Sequence, residues 1–274
     1  MSKLIITNNT RTTLSDIFKS RYVIYQFAKR DFTIRYKASF LGYLWAVINP
    51  FFQAMIYITV FGLLVRVQTP EYATSYAVVL LLGLLVWTLF NQAADQVSNT
   101  LINNMHILKK VYFPRINLCI AAIATATMDF FIAFLVTLVI LLVWKFQNVS
   151  LMPSLLLFPL LVVGVILLAL SLGAVLAILK VKYQDFKHLV PMIFQTLFFL
   201  SPIVYTQSLV ADEYLFLYKL NPLYGYISTF RWMFIDNSPV ELGYFFYSLT
   251  FSIILFLFTM FFFSKQERDI VDSE

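Results

Sequence analysis

Apolar residues in this chain come in long unbroken blocks. After a polar, basic stretch at 1–37, apolar runs occupy about 42–65, 76–101, 116–144, 151–179, 189–206 and 242–263. A run of about 18 or more residues with few charges can cross the hydrocarbon core of a bilayer as a helix. The blocks therefore predict six transmembrane helices. Arg66 and the polar link from Gln68 to Ser75 close the first. NNMHILKKVYFPR (103–115) parts the second from the third, and Lys145 to Ser150 parts the third from the fourth. KVKYQDFK (180–187) leads into the fifth. Pro153, Pro159, Gly164 and Gly173 predict a kink in the fourth run, and Pro191 and Pro202 interrupt the fifth.

Two stretches follow a different pattern. On a helix, Val23, Phe27, Ile34 and Ala38 share one side, while Gln26, Arg30, Thr33 and Lys37 lie roughly opposite. Arg35 falls near the edge of the apolar side, where its long stem can still reach water. An apolar stripe facing a basic one suits a helix lying in the membrane interface, with Arg30, Arg35 and Lys37 toward the headgroups. Later, LVADEYLFLYKL (209–220) and LYGYISTFRWMFI (223–235) are apolar but too short to span. With Asn221-Pro222 as the turn between them, they predict a re-entrant helical hairpin between spans five and six. The expected architecture is an all-α integral membrane protein with one transmembrane domain over 1–274. It comprises a cytoplasmic arm and interfacial helix (1–40), a six-span body (41–264) and a cytoplasmic tail (265–274).

Composition sharpens this picture. Of 274 residues, 61% are hydrophobic and 12% charged, with mean hydropathy +0.81. A soluble domain carries about 25% charged residues, so that class is excluded. No cleavable signal peptide is visible in the first 40 residues. With the amino terminus inside, sixteen of the 20 Lys and Arg fall on cytoplasmic segments. Arg66, Lys145, Lys219 and Arg231 remain for the other side. The positive-inside rule then places both termini in the cytoplasm. Cys119 is the only cysteine, which excludes an intrachain disulfide. His106 and His188 lie far apart, so no zinc site is expected.

Catalytic signatures are missing as well. No glycine precedes a lysine, so there is no G-x-x-x-x-G-K-[ST] loop to cradle phosphates. The chain is expected to be no enzyme, to hold no cofactor or metal and to bind no nucleic acid. Asp95 and Asp129 lie within spans, where carboxylates are functional suspects by default. Asp95 sits among Asn91, Gln92, Gln96 and Asn99, which suggests a polar helix contact or a hydrated vestibule. An ion-coupled transporter would rest on these two acids; a membrane transferase would need a cluster that the sequence does not show.

Aromatic residues make up 18% of the chain, and Tyr205, Tyr214, Tyr218, Tyr224, Tyr226 and Trp232 crowd one outer region. A sliding polymer calls for weak, repeated contacts, and flat rings with polar edges supply them. The candidate path is Tyr57 and Phe61 from span one and Phe198 and Tyr205 from span five, with Tyr224 and Trp232 at the outer mouth.

Four segments together resemble the motifs of type-2 ABC export permeases: RDFTIRYKASFLGYLWAVINP (30–50), ILKKVYFPR (107–115), FFLSPIVY (198–205) and LNPLYGYISTFR (220–231). More closely, the chain is similar to the membrane subunit of bacterial polysaccharide exporters. The resemblance implies a homodimer joined to two copies of a separate ATPase subunit, which holds the ATP and Mg. It implies a lipid-linked polysaccharide as substrate, O-antigen first, with capsule or teichoic acid as alternatives, moved across the bacterial inner membrane. It also implies a coupling helix at about 100–112, where Leu101, Met105, Leu108 and Tyr112 form a stripe and Lys109 and Lys110 can pair with acids. Ile116 to Cys119, and Tyr183-Gln184-Asp185, depart from common family patterns.

Overall fold

A computed structural model describes residues 20–37, 40–108, 110, 113–143, 153–236 and 238–266. The chain is all-helical. Helix α1 (Arg21–Lys37) precedes α2 (Trp45–Leu64), α3 (Tyr76–Asn103) and the single turn α4 (Met105–Leu108). Then come α5 (Ile116–Val143), α6 (Phe158–Lys182), α7 (Phe186–Leu200), α8 (Asp212–Lys219), α9 (Pro222–Phe234) and α10 (Leu242–Gln266).

Helices α2, α3, α5, α6 and α10 have the length and apolar character to cross a membrane, so the count is five where six were expected. The difference lies in the fifth apolar run. Helix α7 has 15 residues, about 22 Å at 1.5 Å per residue, and it stops at Ser201 before Pro202. A residue before proline is pushed out of the helical region, which explains the stop. The chain from Ser201 to Thr206 continues without regular helix, yet it is mostly buried.

Helix α3 is the centre of the molecule. It packs on α5 and α6 along much of its length, and on α2 and α9. Small residues make the approach close: Ala93 and Ala94 on α3 meet Gly173, Ala174 and Ala177 on α6. Without a hydrophobic force between helices in lipid, such close packing is the main source of association. Gly173 is a contact position, since a Cβ there would stand 2.7 Å from the Ala94 carbonyl oxygen. Helix α6 runs unbroken from Phe158 to Lys182, so the predicted glycine kink becomes two close contacts, at Gly164 with Tyr226 and at Gly173 with α3.

The turn at Asn221-Pro222 forms as predicted. Asn221 caps α9 by accepting from the Leu223 amide at 3.0 Å, and proline occupies the first turn, where its missing N–H is harmless. Helix α9 is buried against α10, α3 and α6, whereas α8 exposes Tyr214, Phe216 and Leu217. Gly225 faces α10 so closely that a Cβ would collide with the Tyr244 carbonyl and the Ser248 hydroxyl. Gly225→Ala is therefore expected to cost about 1–3 kcal/mol by overpacking. A lower thermal midpoint in detergent checks this, beside an unaffected Gly243→Ala, whose surroundings are open.

Candidate functional site

Three groups of side chains merit description, from the inner end outward. At the inner end, α3 stops at Asn103 and Asn104 turns the chain into α4. The 101–112 stripe is thus split over two helices. Leu101 and Leu108 face inward and pack with Ile116 and Leu118, Met105 is half-buried beside them, and His106 and Lys110 are exposed. The exposed surface of the connector is therefore polar, and the expected apolar anchors Leu101 and Leu108 belong to the core. Lys109 and Tyr112 lie outside the described residues, as does Ala38 of the α1 stripe.

Helix α1 is tied to this region. Arg30 donates to Asn104 at 2.7 Å and to Asp31, and its guanidinium lies over the Phe27 ring. Phe27 meets Phe113 at a centroid distance of 5.4 Å. Farther along α1, Arg35 donates to Asp129 on α5 at 2.5 Å, and Tyr36 donates to the other carboxylate oxygen. Burial, and then the carboxylate it serves, push the Tyr36 phenol well above its ordinary range, so it stays a donor. Gln96, with its amide turned to satisfy both sides, accepts from Arg35 and donates to Ala122. Lys37 is exposed, as is Ile34 of the apolar stripe. Asp129 is thereby explained as the anchor of α1.

In the middle, a cleft of about 450 Å³ opens between α2, α3 and α7. Val190, Phe194 and Phe198 recur every fourth residue on α7 and bury one face toward α3. Tyr57 stacks on Phe198 (5.2 Å, 25° between planes), and Trp87 meets Phe198 edge-on at 5.4 Å. Phe61 adjoins Tyr57. The amides of Gln53, Asn91, Gln92 and Gln195 line the same cleft, with Asp95. Behind it, Lys180 donates to Ser98 and Asn99 at 2.8 and 2.7 Å, and Asn99 donates to Asp95. Three of the predicted path residues, Tyr57, Phe61 and Phe198, are thus brought together.

The other three are elsewhere. Tyr205 stacks on Tyr218, which meets Tyr224 edge-on, and Tyr224 meets Tyr244 in turn. Tyr224 is buried and donates to Gln207 and Glu241, and Glu241 pairs with Lys219 at 2.6 Å. Burial and the Glu241 carboxylate raise the Tyr224 phenol far above its ordinary value. Trp232 is half-buried on α9.

Arg231, at 1% exposure, was counted in the sequence only as an outer charge. Its Nε donates to the Val79 carbonyl and its Nη2 to the Ile203 carbonyl, both at 3.0 Å, and the Tyr72 ring lies beneath it. Tyr76 donates to Val204 O at 2.7 Å, and Asn221 to Leu200 O at 3.2 Å. Non-helical backbone at membrane depth must have its carbonyls satisfied by protein, and these three side chains do that for 200–204. An arginine inside an apolar run was the available signal. No cluster of metal ligands occurs among the described residues.

The family model for the ABC-2 type transporter matches residues 22–235, from the start of α1 to the end of α9. The chain belongs to the ABC-2 type transporter family. Among curated relatives of this ABC-2 protein, the O-antigen export system permease protein RfbA of Klebsiella pneumoniae is 30% identical over 212 residues. That match covers 76% of the chain and 78% of the relative. The RfbA protein of Myxococcus xanthus is 25% identical over 81% of the chain and 84% of its own length. The polysialic acid transport protein KpsM of Escherichia coli is 22% identical over 71% and 74%. Family and apolar helices together make the ABC-2 chain a multi-pass membrane permease.

Proposed function

We propose that this chain is the membrane-spanning subunit of an ATP-driven exporter that moves a lipid-linked polysaccharide, O-antigen first, from the cytoplasm outward. Capsule or teichoic acid is the second reading. Two copies form the path, and a separate ATPase subunit supplies the energy and meets α4 through His106 and Lys110. Helix α1 lies in the cytoplasmic interface of the inner membrane. Helix α7 with the buried 201–206 segment makes the sixth crossing, α8 and α9 form the re-entrant hairpin, and both termini are cytoplasmic.

The observation that carries this reading is the Tyr57–Phe198–Trp87 surface beside four amides, in a chain whose relatives are named for polysaccharide export. Rings present a face on which a sugar slides, and amides offer donors and acceptors without a net charge that would trap it. The test is surface glycan at matched protein levels after single changes of Tyr57, Phe198, Tyr205, Tyr224 and Trp232 to Ala. Tyr57→Ala and Phe198→Ala are expected to lower export several-fold. Tyr205→Ala and Tyr224→Ala are expected to act through the outer packing, with a lower thermal midpoint, and Trp232→Ala through the mouth. Parent-like export in all five variants overturns the aromatic path. A deletion strain with unchanged surface glycan overturns the function itself.

A further inference from the structure

A second cleft, of about 490 Å³, lies on the inner side between α1, α3, α4 and α5. It is separate in character from the aromatic cleft. Arg30 and Arg35 line it from α1, Gln96 and Asn103 from α3, and His106 from α4. Asp31 is the acid among its lining residues, and it already holds Arg30. A guanidinium has five N–H donors in a fixed fork that matches phosphate oxygens. The bonds described here engage Arg30 through Nε and Nη2 with Asp31 and Asn104, and Arg35 through one face with Asp129 and Gln96. Both side chains are still about a third exposed, 34% and 37%, so an incoming anion can reach them at modest desolvation cost. The volume falls in the range of small-ligand sites, roughly 300–1,000 Å³.

The rim adds a second property. Ile34, one residue before Arg35, is 68% exposed and lines the same cleft. An apolar side chain beside cationic donors suits a ligand that is anionic at one end and apolar at the other. We propose that this cleft binds the phosphate or diphosphate group of an amphiphile, with Arg30 and Arg35 as the cationic donors and Asn103 and His106 closing the inner side. This assignment rests on the reading of the chain as an exporter of a lipid-linked substrate, whose carrier joins sugar to lipid through such a group. Arg30 also holds Asn104 at the start of the connector, so an occupied cleft and the coupling turn share a residue.

The test uses the full chain in nanodiscs and two probes, an isoprenyl diphosphate in the bilayer and inorganic diphosphate in solution. The double variant Asn103→Asp/His106→Asp places negative charge in the cleft and leaves the α1–α5 clamp intact. Like charges brought together cost enough to weaken binding about tenfold or more. Saturable binding of the isoprenyl diphosphate that falls by that factor in the double variant, at an unchanged thermal midpoint, supports the site and a lipid source. Equal loss of inorganic diphosphate binding supports the site with the free anion sufficing. Binding that the double variant does not alter, or no binding of either probe, overturns the proposal. Glycan export by the parent strain is measured alongside. A parent that exports glycan while the probes fail refutes the cleft alone, and a parent that exports none refutes the exporter reading.

Discussion

Arg231→Met is expected to abolish export and to lower the thermal midpoint sharply. Arg231 is the partner of the Val79 and Ile203 carbonyls, deep in the protein and within the non-helical stretch that follows α7. Hydrogen bonds from charged donors contribute about 1.5–3 kcal/mol each, and a stranded buried carbonyl costs about 1–3 kcal/mol more. The space belongs to this side chain, because Gly83 offers no Cβ where the guanidinium lies: a Cβ would stand 2.8 Å from Nη2. Arg231→Lys retains charge but lacks the planar fork, so it is expected to recover only part of the stability. Thermal unfolding in detergent and surface glycan, measured on both variants, check this. A methionine variant that folds and exports like the parent refutes the staple.

The second large effect concerns the clamp between α1 and α5, and it is asymmetric. The Asp129 side chain is 7% exposed and that of Arg35 is 37% exposed. When Asp129 is replaced by Asn, Arg35 can turn to water. When Arg35 is replaced by Met, a buried carboxylate is left with Tyr36 as its remaining described donor. Removing one partner of a buried pair costs roughly 3–5 kcal/mol, and the exposure of Arg35 places this pair toward the lower end. The expected order of stability is parent, then Asp129→Asn, then Arg35→Met. The double variant Arg35→Met/Asp129→Leu should recover much of the loss, because no charge is then stranded. Thermal midpoints of the four proteins measure the cycle, and a double variant no better than Arg35→Met refutes the account.

Helix positions were legible in the sequence because period and length are local properties. Runs 76–101, 116–144 and 242–263 became α3, α5 and α10 with ends a few residues away. Run 189–206 misled because Ser201 to Thr206 is as apolar as a helix, and hydropathy does not register the break imposed by Pro202. At the candidate site, Tyr57, Phe61 and Phe198 were found because a path needs rings on facing spans. Leu101 and Leu108 were placed on the connector's outer surface because a stripe looks the same whether it faces a partner or the chain's own core. The role of Arg231 was hidden for another reason: its partners are carbonyls of residues 79 and 203, and backbone leaves no mark in composition.

Helix α3 ends as the best-shielded element of the protein, yet its order in the chain exposes it first. As it leaves the ribosome, its polar edge of Asn91, Gln92, Asp95, Gln96 and Asn99 has none of its later partners. Lys180, which closes the group through Ser98 and Asn99, lies 81 residues downstream of Asn99. At about 5–20 residues per second, that interval is roughly 4–16 s. For that time α3 must keep a carboxylate and four amides at the lipid boundary or in the insertion machinery, where polar groups are costly. Membrane insertion and quality control therefore select on the α3–α6 contact before any polymer is moved, and changes at Asn99 or Lys180 act on the amount of protein made.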